Sequence, residues 1–180
     1  MIKNDDPKMA EGLFLNAIKY KSDYAEAFSN LGLIYYKKKN LSKALEYYDS
    51  AIKLNPNLTS ALFNMANIYL DLSDYDHADK LYLKAIASNP LHIQSYINIS
   101  LVCQSRKKYR EAEIYLEKAL LVDPNNTDVL LNLGALHAMN HQFNLARNLF
   151  RRIMILNPQD RFAQHNIEKL NRIERDQSKK

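Results

Sequence analysis

The stretch of sequence that decides the fold is residues 25–58, which read AEAFSNLGLIYYKKKNLSKALEYYDSAIKLNPNL. It contains two amphipathic helical patterns separated by a short polar turn. Prolines that follow an Asn or Asp recur at an interval of 34 residues, at Pro56, Pro90, Pro124 and Pro158. Regular spacing of a residue that terminates helices indicates an array of repeats. Alignment on these prolines predicts four helix-pair units, at residues 25–58, 59–92, 93–126 and 127–160.

The composition excludes several classes of protein. Only 3 of the 180 residues are glycine and no two are close together, which excludes the glycine-rich phosphate loops of nucleotide-binding folds. The single cysteine, Cys103, cannot form a disulfide within the chain. No apolar run is long enough for a secretory signal or a membrane span. The sequence therefore predicts a cytoplasmic protein without membrane insertion.

Similar residues recur at fixed positions of the four units, counted from the first residue of each unit. In the first unit they stand at positions 4, 7, 8, 11, 20, 24, 27 and 32, as Phe28, Leu31, Gly32, Tyr35, Ala44, Tyr48, Ala51 and Pro56. This pattern resembles the tetratricopeptide repeat, a helix–turn–helix unit. The resemblance implies an all-α fold, an α-solenoid of antiparallel helix pairs that curls into a right-handed superhelix. It also implies that the first helix of each pair, helix A, lines the concave side, while helix B packs behind it.

The resemblance extends in part to both ends of the chain. Residues 1–24 match helix B alone, with Asp6 and Pro7 at its start, and are predicted to form an N-terminal half repeat. Residues 161–176 are in register with a further helix A and carry polar residues where a helix B would pack, so they are predicted to be a capping helix. Residues 177–180 are expected to form a frayed tail.

Two expectations concern the turn inside each helix pair. At position 15, where the family often has glycine, the four units have Lys39, Ser73, Lys107 and His141. These turns are expected to have a strained backbone, at a cost of about 1 kcal/mol if the residue is left-handed. Helix B is expected to begin after a capping side chain at Ser42, Asp76 and Asn144.

Positions 2, 5, 6, 9 and 13 share one face of helix A, which we call the helix-A face. Position 6 is asparagine in every unit and in the capping helix, as Asn30, Asn64, Asn98, Asn132 and Asn166. Because an amide offers both a donor and an acceptor, this ladder can pair with the backbone of an extended peptide. Similar ladders occur in the repeat region of O-linked N-acetylglucosamine transferases. The other predicted peptide-binding residues, at positions 5 and 9, are Leu33, Phe63, Asn67, Ile97, Leu101 and Leu131.

Other kinds of site are not predicted. Basic residues cluster at turns instead of along the helix-A face, which argues against nucleic-acid binding. His137 and His141 are four residues apart, a spacing that can hold zinc, but His137 stands at a packing position and no third ligand follows the pattern. Cys103 also stands at a packing position and is expected to be a buried thiol. We therefore predict no metal ion, no cofactor and no enzymatic activity.

Three functions remain open. The first is an adaptor that binds an extended peptide through the asparagine ladder. The second is the substrate-recruiting part of a larger enzyme, such as a glycosyltransferase. The third is a homo-oligomeric scaffold that associates through residues 7–20, where Met9, Leu13, Phe14 and Ile18 are expected to be incompletely covered.

Overall fold

The computed structural model describes residues 7–177, which form ten α-helices joined by short turns. The helices are α1 (Pro7–Tyr20), α2 (Ala25–Lys37), α3 (Leu41–Leu54), α4 (Thr59–Asp71), α5 (Tyr75–Ser88), α6 (Ile93–Ser105), α7 (Tyr109–Val122), α8 (Thr127–Met139), α9 (Phe143–Leu156) and α10 (Arg161–Gln177). These residues include no strand, and no helix among them is long and apolar enough to cross a bilayer. Gln177, predicted to begin a frayed tail, still belongs to α10. The predicted cap at Asp6 and the rest of the predicted tail, 178–180, lie outside the described residues.

Consecutive helices pack against each other in pairs. α2 packs on α3, α4 on α5 and α8 on α9, with three residues between the helices of each pair. So short a connection makes the two helices antiparallel. The predicted all-α architecture of antiparallel helix pairs is therefore confirmed. The contacts divide the chain into two compact parts, an N-terminal block that ends at Asn98 and a C-terminal block that begins at Ile99, with the boundary inside α6.

A close contact between Gly32 and Tyr48 lies in the core of the N-terminal block. A Cβ atom on Gly32 would be 2.6 Å from Cε1 of Tyr48, so a larger residue would force either the ring or the helix to shift. Tyr48 is fully buried together with Ala44 and Ala51 on the same helix. The small residues predicted at positions 8, 20 and 27 thus lie within the helix contact, and the aromatic residue at position 24 fills the space beside them.

The C-terminal block repeats this contact and extends it to α10. A Cβ atom on Gly134 would be 2.5 Å from Cε1 of Phe150, the residue that corresponds to Tyr48. Phe150 is buried in one cluster with Ala163 and Leu170 of α10. The last helix is therefore held by apolar burial on one face, while its opposite face is polar.

The turn inside each helix pair passes through a left-handed residue. Among the described residues, the non-glycine positions with positive φ are Lys39 (61°), Ser73 (58°), Lys107 (59°) and His141 (60°). They are the four residues at position 15, so the predicted strain in these turns is confirmed. A left-handed conformation costs an ordinary L-residue about 1–2 kcal/mol.

Helix B begins earlier than the sequence suggested. The caps predicted at Ser42, Asp76 and Asn144 are wrong, because these residues already lie inside α3, α5 and α9. In α3 and α5 the caps are Asn40 and Asp74, whose Oδ1 atoms each accept a hydrogen bond of 3.2 Å from the backbone N–H three residues later. The left-handed residue reverses the chain in one step, so the residue directly after it becomes the N-cap.

We expect Ser73→Gly to raise the free energy of unfolding by about 1 kcal/mol, because glycine adopts a positive φ without a Cβ clash. The control is Leu72→Gly, one residue earlier, where φ is −80° and glycine brings an entropic cost together with the loss of a partly covered leucine side chain. Urea denaturation followed by circular dichroism measures both variants. An equal loss of stability in the two would contradict the assignment of strain to position 15.

Candidate functional site

The five asparagines of the ladder are all half-buried, but they do not have the same surroundings. Three of them donate a hydrogen bond from Nδ2 to the backbone carbonyl four residues earlier: Asn30 to Glu26 (2.9 Å), Asn132 to Asp128 (2.8 Å) and Asn166 to Phe162 (2.9 Å). This bond uses one N–H and fixes the direction of the amide. The carbonyl oxygen and the second N–H of each amide remain available to a partner.

Asn98 is part of a hydrogen-bonded cluster in the N-terminal block. Its Nδ2 donates to Oδ1 of Asn67 at 2.8 Å and approaches the hydroxyl of Tyr82 at 3.3 Å. The Tyr82 hydroxyl itself donates to Oδ1 of Asn67 at 2.5 Å. Because the Tyr82 side chain is fully buried, its hydroxyl needs an internal acceptor, and Asn67 supplies it. Two predicted peptide-binding residues, Asn67 and Asn98, thus satisfy a buried tyrosine.

The equivalent place one repeat unit earlier lacks this cluster. Tyr48 corresponds to Tyr82, and Leu33 stands where Asn67 would supply the acceptor. The Tyr48 hydroxyl is buried and has no hydrogen-bond partner within the described residues. Asn64, the counterpart of Asn98, likewise has none there. Asn64 is therefore the ladder amide with the fewest internal constraints.

Tyrosine hydroxyls along this part of the block are held in the neutral form. The hydroxyl of Tyr36 donates to Oδ2 of Asp71 at 2.6 Å, and this bond together with partial burial raises the pKa of Tyr36. Burial raises the pKa of both Tyr48 and Tyr82 well above the ordinary value. A neutral hydroxyl can both donate and accept a hydrogen bond, whereas a phenolate can only accept one and carries a negative charge. These tyrosines therefore make this part of the block polar without adding negative charge.

The apolar residues predicted to contact a peptide differ in how much surface they offer. Leu33, Phe63 and Leu131 are half-buried, Leu101 is exposed, and Ile97 is only 6% exposed. Ile97 therefore presents little surface to a partner. The ring of Phe63 packs against the rings of Tyr82 at 5.9 Å and His92 at 4.9 Å between centroids.

A pocket of about 240 Å³ opens on the helix-A face of the C-terminal block. Residues from α8, α9 and α10 line it: Ala135, Ala138, Met139, Phe150, Asn166, Lys169, Leu170 and Ile173. Its lining is apolar apart from the Asn166 amide and the Lys169 side chain. The Asn166 amide and the apolar lining of the pocket thus lie side by side.

The two histidines considered for metal binding and the single cysteine lie at packing or turn positions of the repeat. His137 is buried, as predicted, with Nδ1 2.6 Å from Oε1 of Gln142 and Nε2 3.7 Å from Oε1 of Glu113. His141 occupies a left-handed turn position. Cys103 is buried, as expected for a thiol at a packing position. Among the described residues, no group of three or more His, Cys, Asp or Glu is placed to hold a metal ion.

Family models of the tetratricopeptide repeat match three stretches of the chain, residues 25–58, 59–90 and 105–168. The chain belongs to the tetratricopeptide-repeat family. The helix pairs described above have the helix–turn–helix architecture of this repeat.

Solved structures of low sequence identity share this tetratricopeptide-repeat fold. The structure described as the functional characterization of pilF of Pseudomonas aeruginosa has a TM-score of 0.83 at 20% identity, covering 96% of this chain and 79% of that one. A crystal structure of MamA has a TM-score of 0.73 at 18% identity, covering 83% and 87%. The MamA RS-1 ArsTM double mutant has a TM-score of 0.74 at 19% identity, covering 86% and 87%. At these identities the likeness shows the fold alone, and comparison with curated protein sequences finds no match.

Sequence reasoning missed two features of this surface. It treated the five ladder asparagines as equivalent, although Asn98 has a buried acceptor and a buried hydroxyl beside it. Only the second repeat combines asparagine at position 9 with tyrosine at position 24, and this combination in the sequence could have indicated the hydrogen-bonded cluster. It also missed the pocket beside Asn166, because that pocket depends on side chains from three helices.

We expect opposite effects from removing two equivalent hydroxyls. Tyr82→Phe should lower the free energy of unfolding by about 1 kcal/mol, because it removes a buried hydrogen bond to Asn67. Tyr48→Phe should raise it by about 1 kcal/mol, because it removes a buried hydroxyl without a partner. Phenylalanine fits this position, since Phe150 occupies it in the fourth repeat.

Chemical denaturation of both variants beside the wild type measures the difference. Each variant serves as the control for the other, because the lost atom and the repeat position are the same. A loss of stability in Tyr48→Phe as large as that in Tyr82→Phe would contradict the assignment of the Asn67 acceptor.

Proposed function

We propose that the chain is a non-catalytic adaptor that binds an extended segment of a partner protein along the helix-A face. Tetratricopeptide repeats are protein interaction modules, and stacked repeats provide extended surfaces for this purpose. The observation that carries the proposal is the hydrogen bonding of the side-chain amides of Asn30, Asn132 and Asn166. Each amide is fixed by one bond to its own helix and keeps an oxygen and an N–H for a peptide group.

The energetic scale of such binding follows from the number of amides. A hydrogen-bonded amide contributes about 0.5–1.5 kcal/mol net, because each protein bond replaces a bond to water. Removal of three amides should therefore weaken binding by about 2–4 kcal/mol, or about 30- to 1000-fold. Pre-orientation by the bond within the helix reduces the entropy lost on binding.

The test uses Asn30→Ala, Asn132→Ala and Asn166→Ala together in one variant. Asn98 stays intact, because its replacement would disturb the buried Tyr82 hydroxyl. Wild type and variant are compared by pull-down from a cell lysate read by mass spectrometry, after circular dichroism and thermal melting show equal folding. We expect partners that the wild type binds to be lost from the variant, which would also identify the clients.

The matched control replaces three exposed asparagines away from the helix-A face, Asn16, Asn57 and Asn148, by alanine. This control should retain the partners of the wild type. A partner list that is the same for the wild type, the ladder variant and the control would overturn binding through the ladder.

A second candidate function, self-association through residues 7–20, has one specific observation in its favour. Met9 and Leu13 of α1 are 65% and 60% exposed and lie one turn apart on the same side of the helix. A two-fold contact would bury this stripe against the same stripe of a second copy.

Sedimentation velocity over a range of concentrations tests self-association. We expect Met9→Lys with Leu13→Lys to shift the protein toward the monomer, because a buried ammonium would oppose the contact. The control is Leu121→Lys with Ile155→Lys, at two apolar residues that are even more exposed, on α7 and α9. A wild type that is monomeric at the highest concentration would exclude this function.

A further inference from the structure

The pocket beside Asn166 has the size and lining of a site for one side chain. Its volume of about 240 Å³ is below the range of about 300–1,000 Å³ that small-molecule sites occupy. Buried Phe150 and Leu170 form its floor, and Met139 and Ile173 contribute apolar walls. Such a lining favours a bulky apolar side chain, whose transfer from water is driven by the hydrophobic effect.

The rim of the pocket carries two cations that form no ion pair within the described residues. Lys169 lines the pocket, and Arg172 lies beside Lys169 on the same exposed side of α10. The nearby carboxylate of Glu174 is 2.6 Å from Arg147, and that of Glu168 accepts a hydrogen bond from Gln164. Glu168 lines the same surface as Lys169 and Arg172 and keeps its negative charge, so these three side chains leave one excess positive charge beside the pocket.

We propose that this pocket binds a bulky apolar side chain of the partner segment, and that Lys169 and Arg172 bind the side-chain carboxylate of an Asp or Glu close to it. The inference rests on the proposed function and names the sequence that the helix-A face prefers. Asn166, Lys169 and Ile173 share one face of α10, so amide, cation and apolar wall are presented together. Lys169 lines the pocket itself, and an extended chain advances about 3.3 Å per residue, so we expect the acidic residue within two positions of the apolar one.

Selection from a phage-displayed library of random dodecapeptides tests the preference on the full chain. Peptides at the free end of a coat-protein fusion have no C-terminal carboxylate, so any acidic group that is selected is a side chain. We expect enrichment of peptides with Leu, Phe, Ile or Met within two residues of Asp or Glu. Enrichment of peptides without this pair would overturn the inference while leaving the proposed function intact.

Two variants test whether the selected peptides bind at the pocket. The affinity of each variant for one selected peptide is measured by isothermal titration calorimetry. Lys169→Glu with Arg172→Glu should weaken binding at least about 10-fold, because it reverses the charge that faces the carboxylate. Ala135→Leu should weaken binding by a similar factor, because it fills the pocket. The controls are Lys80→Glu with Lys84→Glu, and Ala87→Leu, all at exposed residues of α5.

Failure of this inference can be distinguished from failure of the proposed function. Equal affinity in the pocket variants and their controls would overturn the inference, even if the ladder variant of Asn30, Asn132 and Asn166 no longer bound the peptide. Enrichment of no peptide at all would overturn the proposed function and this inference with it. Thermal melting of each variant checks that a loss of affinity is not a loss of fold.

Discussion

The contact of an aromatic ring with the backbone of the facing helix is the constraint on which the rest of the structure depends. Gly32 admits the ring of Tyr48, and Gly134 admits that of Phe150. Because the ring fills the space between two helices, the distance between the helices is set by the smallest residue in the contact. The faces that point away from this contact are then free to carry polar groups, and the half-buried asparagines at position 6 lie on such a face.

Much of the fold could be predicted because its causes are local and recur. Proline at a constant interval and small residues at constant positions indicate helix pairs without any knowledge of long-range contacts. The left-handed conformation of Lys39 and Ser73 was also predictable, because a turn of fixed length requires it whatever residue stands there. The start of helix B was not, because Ser42 is a good capping residue by type, while the turn geometry gives that place to Asn40.

The candidate surface was predictable in its position but not in its detail. Periodicity places five asparagines on one face, but the partner of each amide depends on residues elsewhere in the chain. Asn98 is held by Asn67 and Tyr82, whereas Asn64 stands beside a repeat in which leucine replaces the acceptor. The charge of the rim at Lys169 was visible in the sequence, but its place beside an apolar pocket follows from the packing of α10.

The cluster of Asn67, Tyr82 and Asn98 has a consequence for the evolution and engineering of the array. Its members come from two consecutive repeats, so an acceptor in one copy is matched to a donor in the next. Position 6 is asparagine in every repeat and in the capping helix, so whichever copy follows the second repeat can supply this donor. Only the second repeat has the acceptor Asn67 together with Tyr82, so the cluster would move with this one repeat within the array, whereas its replacement by another copy would leave the following asparagine without that acceptor.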